Sequence, residues 1–387
     1  MKRKTYSGRQ LLLSALGGAA AALALVLLAV WLLIGPQGAS LLEGLAIVQT
    51  RFVGEYEKET AVDSALSGMV AGLGDRWSYY LSAEEYEAQT QRRSNTYVGI
   101  GVTIEYTDER GLRIRSVVEG GPAAEAGLVS GEIITAVNGT SLAGENREDG
   151  VSLISGETGT RITLTVLGED GLREVSLTLA DIEVEPVHAE LLDNGTGYVK
   201  LDNFYSHSAE KLNKAVDELL EQGADSLLFD MRENGGGYVG ELTDMLDHLL
   251  PEGIIFRTQS KLGLEETVES DAACVEVPMA VLVNANTYSA AEFFAAELQE
   301  AAGARIVGVE TSGKGYSQQA IALSNGGALN LSTARYTTGE GVSLIGTGVT
   351  LDAEVALSDE ELAQLQAGNL SHEEDAQVRK ALELLGK

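Results

Sequence analysis

Val277-Pro-Met-Ala-Val-Leu-Val-Asn-Ala-Asn-Thr-Tyr-Ser-Ala-Ala-Glu292 is the stretch that decides how this chain folds. Its first half is an apolar run of the length of one buried strand, with Pro278 near the start, where a missing N–H is tolerated. Its second half turns and opens an alanine-rich helix that Gly303 stops. The same strand–turn–helix unit recurs on both sides. Residues 197–202 read as a strand and 209–220 as a helix, with Ser208 as cap. Residues 226–231 read as a buried strand, followed by Arg232-Glu-Asn-Gly-Gly-Gly237 and a helix to about Leu250. Residues 305–308 give a further strand, and 320–336 give paired strands around Asn325-Gly-Gly327. This alternation is that of an α/β domain.

Ser289 stands at the head of the alanine-rich helix, where free N–H groups and the positive dipole end lie. Taken alone, it reads first as an N-cap. It becomes a nucleophile when a base takes its proton, and that base can be lysine instead of histidine. The chain has four histidines, His188, His207, His248 and His372, none in a site-like segment. Lys314 lies in Val307-Gly-Val-Glu-Thr-Ser-Gly-Lys-Gly-Tyr-Ser-Gln-Gln319, a glycine-flanked turn after a strand. A free lysine titrates near ~10.4 and must lose roughly 2–3 units through burial to act as a base. Alone, Lys314 reads as a solvated surface charge. The Ala290 N–H, and those of Gly236 or Gly237 in the triple-glycine turn, are candidate donors to an oxyanion. Three consecutive glycines argue for a close backbone approach. Residues 308–315 nearly spell a phosphate-binding loop, but Gly315 replaces the Ser or Thr that holds magnesium and a strand pattern follows. Nucleotide binding is rejected on that ground.

The net charge of −31 argues against nucleic acid as a partner. Cys274 is alone, and no Cys/His cluster suggests a metal. Residues 11–34 carry no charge, long enough for a helix to cross a membrane, with Lys2, Arg3, Lys4 and Arg9 before them. The basic side stays in the cytoplasm and the rest lies outside. A cleaved signal peptide is the competing reading, with a shorter apolar region and a cleavage site not evident here.

Residues 97–179 change character to short strands, glycine turns and one short helix. Val98-Gly-Ile-Gly-Val-Thr-Ile104 reads as a strand, Gly121-Pro-Ala-Ala-Glu-Ala-Gly127 as a short helix, and Gly131–Gly139 as a strand ending in an Asn-Gly turn. This order resembles a PDZ domain. The resemblance makes Tyr97, Val98, Gly99, Ile100 and Gly101 the loop that holds a peptide C-terminus, the peptide adding as a strand.

From about Ala61 to Val355, most of its length, the chain resembles the carboxy-terminal processing peptidases, or tail-specific proteases. Ser289 lies three residues before Glu292, as the nucleophile does in that family, and Thr311-Ser-Gly-Lys-Gly315 fills the place of the family's lysine turn. Gln318, four residues after Lys314, occupies the position of the glutamine that orients the lysine. Asp230-Met-Arg-Glu-Asn-Gly-Gly-Gly237, Gly72-Leu-Gly-Asp-Arg-Trp-Ser-Tyr-Tyr80, Arg335-Tyr-Thr-Thr-Gly339 and Gly346-Thr-Gly-Val-Thr-Leu-Asp352 match further family elements. Thr287 and Ala291 depart from flanking serines, and Ser312 from an aromatic.

The expected architecture is an α/β core of the ClpP/crotonase type, implied by the resemblance, with an inserted PDZ domain and an N-terminal transmembrane helix. The parts are a cytoplasmic basic tail 1–10, an anchor 11–34, a helical region 40–96, the PDZ domain 97–180, the protease core 181–356 and a helical tail 357–387. The expected function is a membrane-anchored, extracytoplasmic serine endopeptidase with a Ser289/Lys314 dyad and no cofactor. Its partners are protein substrates with accessible C-termini, with a homo-oligomer left open. The alternatives are a PDZ scaffold with a disabled protease core, and an acyl-CoA enzyme, which would leave the PDZ segment unexplained.

Overall fold

The computed structural model describes residues 8–147 and 150–387, which divide into two units, Met1–Ala65 and Leu66–Lys387. In the first unit one long helix, Gly8–Arg51, runs through the expected anchor. It breaks at Gly35, whose φ is 62°, because Pro36 disfavours the α conformation in the residue before it and glycine accepts a left-handed one. Among the described residues, no helix is long and apolar enough to cross a membrane. Lys2, Arg3 and Lys4, and the side chains of Leu11, Leu12, Leu13, Leu23, Leu27, Val30, Leu33 and Ile34, lie outside the described residues. Leu41, Leu45, Val48 and Phe52 are exposed.

The second unit is built on a six-stranded sheet in the order Val187–Leu191, Thr196–Leu201, Ser226–Asp230, Met279–Val283, Arg305–Gly308 and Ala353–Glu354. The first pair is antiparallel and the others are parallel. The two central strands are buried on both faces, which is why they read as unbroken apolar runs. Leu227, Phe229, Val281 and Val283 point to one side, against the helices Ser208–Glu221, Val239–Leu249 and Ala290–Ala302. Leu228, Ala280 and Leu282 point to the other, against Val378 and Ala381 of the last helix, Ala376–Leu384.

That last helix is fastened to the sheet by a buried charge cluster. Arg232 bonds both oxygens of Asp230 and reaches Asp375 at 2.7 Å and Gln377 at 3.0 Å. Burial alone would raise the Asp230 carboxyl, but the Arg232 guanidinium outweighs it and holds the acid below its usual range.

A second, five-stranded sheet contains Tyr79–Leu81, Gly253–Ser260, Glu265–Ser270, Tyr316–Ala322 and Ala328–Thr337. Ser208, expected to cap its helix, lies inside it instead. The cap position is His207, and Glu241 accepts the His207 and Ala209 N–H groups at 3.1 and 2.7 Å. A carboxylate from the next helix thus does the work assigned to the local serine.

The segment from Val102 to Thr178 forms an antiparallel sheet with its own apolar core around Leu112, Ile134 and Leu164. The single strand expected over 98–104 is two. Gly101, at φ 76°, separates Thr96–Gly99 from Val102–Glu105 and sends them into different sheets. Thr96–Gly99 pairs with Ala180–Glu183, a two-stranded ribbon that carries the chain out of the core and back. Buried Asn95 anchors its root through bonds to Asn203, Ser206 and Ser208. Val102–Glu105 is an edge strand of its sheet.

Candidate active site

Two turns at the C-terminal ends of neighbouring parallel strands meet here, the place where open α/β sheets build their sites. After Ser226–Asp230 the chain makes the triple-glycine turn, and after Met279–Val283 it makes the turn that ends at Ser289. Their side chains interlock. Asn284 and Asn286 donate to the two oxygens of Glu233 at 2.7 and 2.8 Å, and the Thr287 hydroxyl donates to the Met231 carbonyl at 2.8 Å. Thr287 therefore keeps the turn closed although it departs from the serine expected there.

Ser289 sits at the tip with φ 61° and ψ −127°. A non-glycine residue held in such a conformation is strained, and a strand-to-helix turn of this kind pushes its hydroxyl outward. Its N–H donates to Glu292 Oε2 at 3.1 Å, and its Oγ lies 3.2 Å from the Tyr336 hydroxyl. The backbone at Gly236 packs against it: a Cβ there would stand 2.7 Å from Ala290 N and 3.0 Å from Ser289 Cβ. At Gly237 a Cβ would stand 2.2 Å from the Phe204 carbonyl oxygen. The close approach expected of the glycines is real.

The Lys314 turn reaches this point through one fully buried carboxylate. Glu292 Oε1 accepts the Thr311 hydroxyl at 2.6 Å and the Gly313 N–H at 2.7 Å, and Oε2 accepts the Lys314 N–H at 2.9 Å. With the Ser289 N–H, four donors meet on one side chain. The Lys314 ammonium lies 4.6 Å from the centre of the Trp77 ring and 5.5 Å from that of Tyr288. Burial lowers its pKa to about 8, helped by Arg93 and Arg76 and opposed by Glu292 and Asp75. Ser289, Ala290, Lys314, Gln318, Gly236 and Gly237 all line one cavity of about 760 Å³.

Residues 195–355 match Peptidase family S41, and residues 113–168 match the PDZ domain. The carboxy-terminal processing protease CtpA of Bacillus subtilis (strain 168) is 31% identical over 316 residues, 81% of this chain and 67% of that protein. The carboxyl-terminal-processing protease of Synechocystis sp. is 30% identical over 330 residues, 83% of this chain and 76% of that one. The chain belongs to the carboxy-terminal processing protease family. Among solved structures, the photosystem II D1 C-terminal processing protease superposes with a TM-score of 0.50 at 25% identity, covering 89% of this chain and 93% of that one. A putative S41 protease of Bacteroides fragilis shares the fold, with a TM-score of 0.52.

As a carboxy-terminal processing protease, the chain is a serine-type peptidase, and the scaffold and acyl-CoA readings fall away. Its histidines lie elsewhere, each beside a carboxylate: Asp202, Glu210, Asp217 and Glu190. A strand, Tyr316–Ala322, follows the Lys314 turn, as the rejection of a phosphate-binding loop requires.

Two expected residues are placed differently from their expected roles. The Gln318 amide donates to the Tyr316 carbonyl at 2.7 Å and to Ser332 Oγ at 3.1 Å, and no bond to Lys314 is formed. The register of this strand against its neighbour shifts between Ser317 and Gln318. The Gly236 N–H donates to the Asn234 side chain at 2.8 Å, so it is already engaged. Among the described residues no acceptor takes the Gly237 or Ala290 N–H. Of the five residues expected to hold a peptide terminus, Tyr97, Val98 and Gly99 are paired in the ribbon, and Ile100 and Gly101 form the turn beside the edge strand.

Three further residues contribute to the site in this family member without having been singled out in the sequence. Trp77 and Tyr336 come from the second sheet and its approach, and Arg93 ends the Ala83–Arg93 helix beside the cavity. The segments holding Trp77 and Tyr336 were recognisable, but their aim was not.

Proposed function

We propose that the chain is a membrane-anchored endopeptidase acting outside the cytoplasm on protein C-termini, with Ser289 as nucleophile and Lys314 as its base. The neutral amine of Lys314 takes the proton of Ser289 Oγ as that oxygen attacks a peptide carbonyl. The N–H groups of Ala290 and Gly237 receive the developing oxyanion. The protonated lysine returns its proton to the leaving amine, and water then releases the acyl-enzyme. Gln318 orients the amine once its own amide leaves Tyr316. The single observation that carries this reading is the burial of Lys314, its pKa brought to about 8, on a turn that Glu292 ties to the Ser289 backbone. The PDZ domain captures the substrate's terminal carboxylate at the Ile100–Gly101 turn, and the tail adds to the exposed edge of Val102–Glu105. The uncharged run 11–34 behind a basic N-terminus supports the anchor.

The test uses the full chain in detergent with an unfolded protein substrate. Ser289→Ala and Lys314→Ala each abolish cleavage, and the double variant is no worse than either alone. Wild-type turnover by Lys314→Ala would remove the dyad. Amidating the substrate's C-terminus tests the PDZ reading, because equal rates below saturation mean the carboxylate is not read. N-terminal sequencing tests the anchor, since mature protein lacking residues 11–34 would overturn it.

A further inference from the structure

The cavity at Ser289 reverses the charge of the protein around it. The chain carries 58 acidic residues against 27 lysines and arginines. Among the described residues, none lining the cavity is Asp or Glu, whereas Arg76, Arg92, Arg93 and Lys314 all line it. The ion pairs of the described residues that use arginine occupy Arg110, Arg113, Arg115, Arg173, Arg232 and Arg305, and leave the three cavity arginines out.

Aromatic faces hold two of them in place. The Arg76 guanidinium lies 4.3 Å over Trp77 and donates to the Ser312 carbonyl, and that of Arg93 lies 6.0 Å over Tyr238. Stacking fixes the plane of a guanidinium and leaves edge donors free for a carboxylate, which it meets two bonds at a time. Arg92 and Arg93 end the Ala83–Arg93 helix, which a Ser82–Glu85 capping box starts firmly. The nearby acids are occupied: Glu292 by four donors, and Asp75 by the Trp77 N–H and the Ser78 hydroxyl. The adjoining depression, which shares Arg92, does contain carboxylates, Asp202 and Glu233. The cationic lining is thus a property of the Ser289 cavity itself.

We infer that Arg76, Arg92 and Arg93 form a carboxylate subsite beside the scissile bond, so that the enzyme prefers substrates with an acidic group there. The group is an Asp or Glu side chain or the substrate's own terminal carboxylate. This deepens the peptidase reading and rests on it.

The test compares peptides that share one C-terminal tail and differ near the scissile bond only by Asp against Asn or Glu against Gln. A second set ends inside the cleft, with the terminus free or amidated. With the full chain in detergent, kcat/KM for the charged member of a pair is about tenfold higher. The gain in the first set assigns side chains, and in the second the terminus. The charged-to-neutral ratio falls toward one in Arg93→Gln and as salt rises. In Arg92→Glu, on an exposed position, it inverts in favour of lysine-containing peptides. Ratios near one in both sets for the wild type, or a ratio unchanged in both variants, would overturn the subsite. A failed dyad shows differently, as Ser289→Ala cleaving every peptide at the wild-type rate.

Discussion

Glu292 and Lys314 meet through the backbone: the carboxylate of one accepts the N–H of the other at 2.9 Å, deep in the protein. The same oxygen accepts the Ser289 N–H, so the two turns share one acceptor. Glu292 thereby ties the Ser289 turn to the Lys314 turn.

Glu292→Gln keeps the shape but turns an NH₂ group toward donors that need an acceptor. Stability falls by about 3 kcal/mol, read as a lower urea midpoint at unchanged slope. The same change lowers kcat at least about tenfold and leaves KM nearly as it was, because the geometry of proton transfer is lost and the cavity is kept. A variant with full kcat would mean the turns hold their places without this clamp.

The pH profile follows from Lys314. Below its pKa the ammonium has no lone pair to accept a proton, and above it the amine does. Activity on a neutral peptide therefore rises with pH, with an apparent midpoint of about 8. Arg93 is one of the charges that hold the lysine down. In Arg93→Gln that repulsion is gone, the lysine keeps its proton longer, and the midpoint moves to higher pH. A midpoint that stays or moves to lower pH in this variant would contradict the assignment.

Gly236→Ala inserts a methyl 2.7 Å from Ala290 N at a φ of 79°. The turn or the helix start must yield. Overpacking costs about 1–3 kcal/mol, and displacement of the oxyanion donors lowers kcat by about a hundredfold or more. Peptide kinetics beside a thermal melt separate the two effects. Wild-type kcat in a destabilised variant would show that this glycine serves folding alone.

Much of this arrangement was legible in the chain itself, because the relevant segments carry their own local signals. Apolar runs mark Ser226–Asp230 and Met279–Val283, and triple glycine marks a backbone contact. Other parts depend on partners far away in sequence. Glu292 gives no hint from its neighbours that it will collect donors from Thr311, Gly313 and Lys314. Trp77 reaches Lys314 only because Tyr79–Leu81 pairs with Ala328–Thr337. The Gln318 amide turns to the Tyr316 carbonyl and to Ser332, a residue of the neighbouring strand whose pairing its spacing from Lys314 does not reveal. The expected 98–104 strand failed at Gly101, where alternation continues in sequence but the left-handed backbone does not let the strand continue.

The bond between Arg232 and Asp375 spans 143 positions of sequence. Arg232 opens the segment that becomes the glycine turn, and to the local carboxylate of Asp230 the last helix adds a second buried one, Asp375. Removing one partner from a buried charge cluster costs about 3–5 kcal/mol. Ser289 and Lys314 both precede Asp375 in the chain, so the turn beside them is braced by a residue that follows both. The last helix is thus part of what holds the glycine turn in place, from the side of the sheet opposite the helix that Ser289 heads.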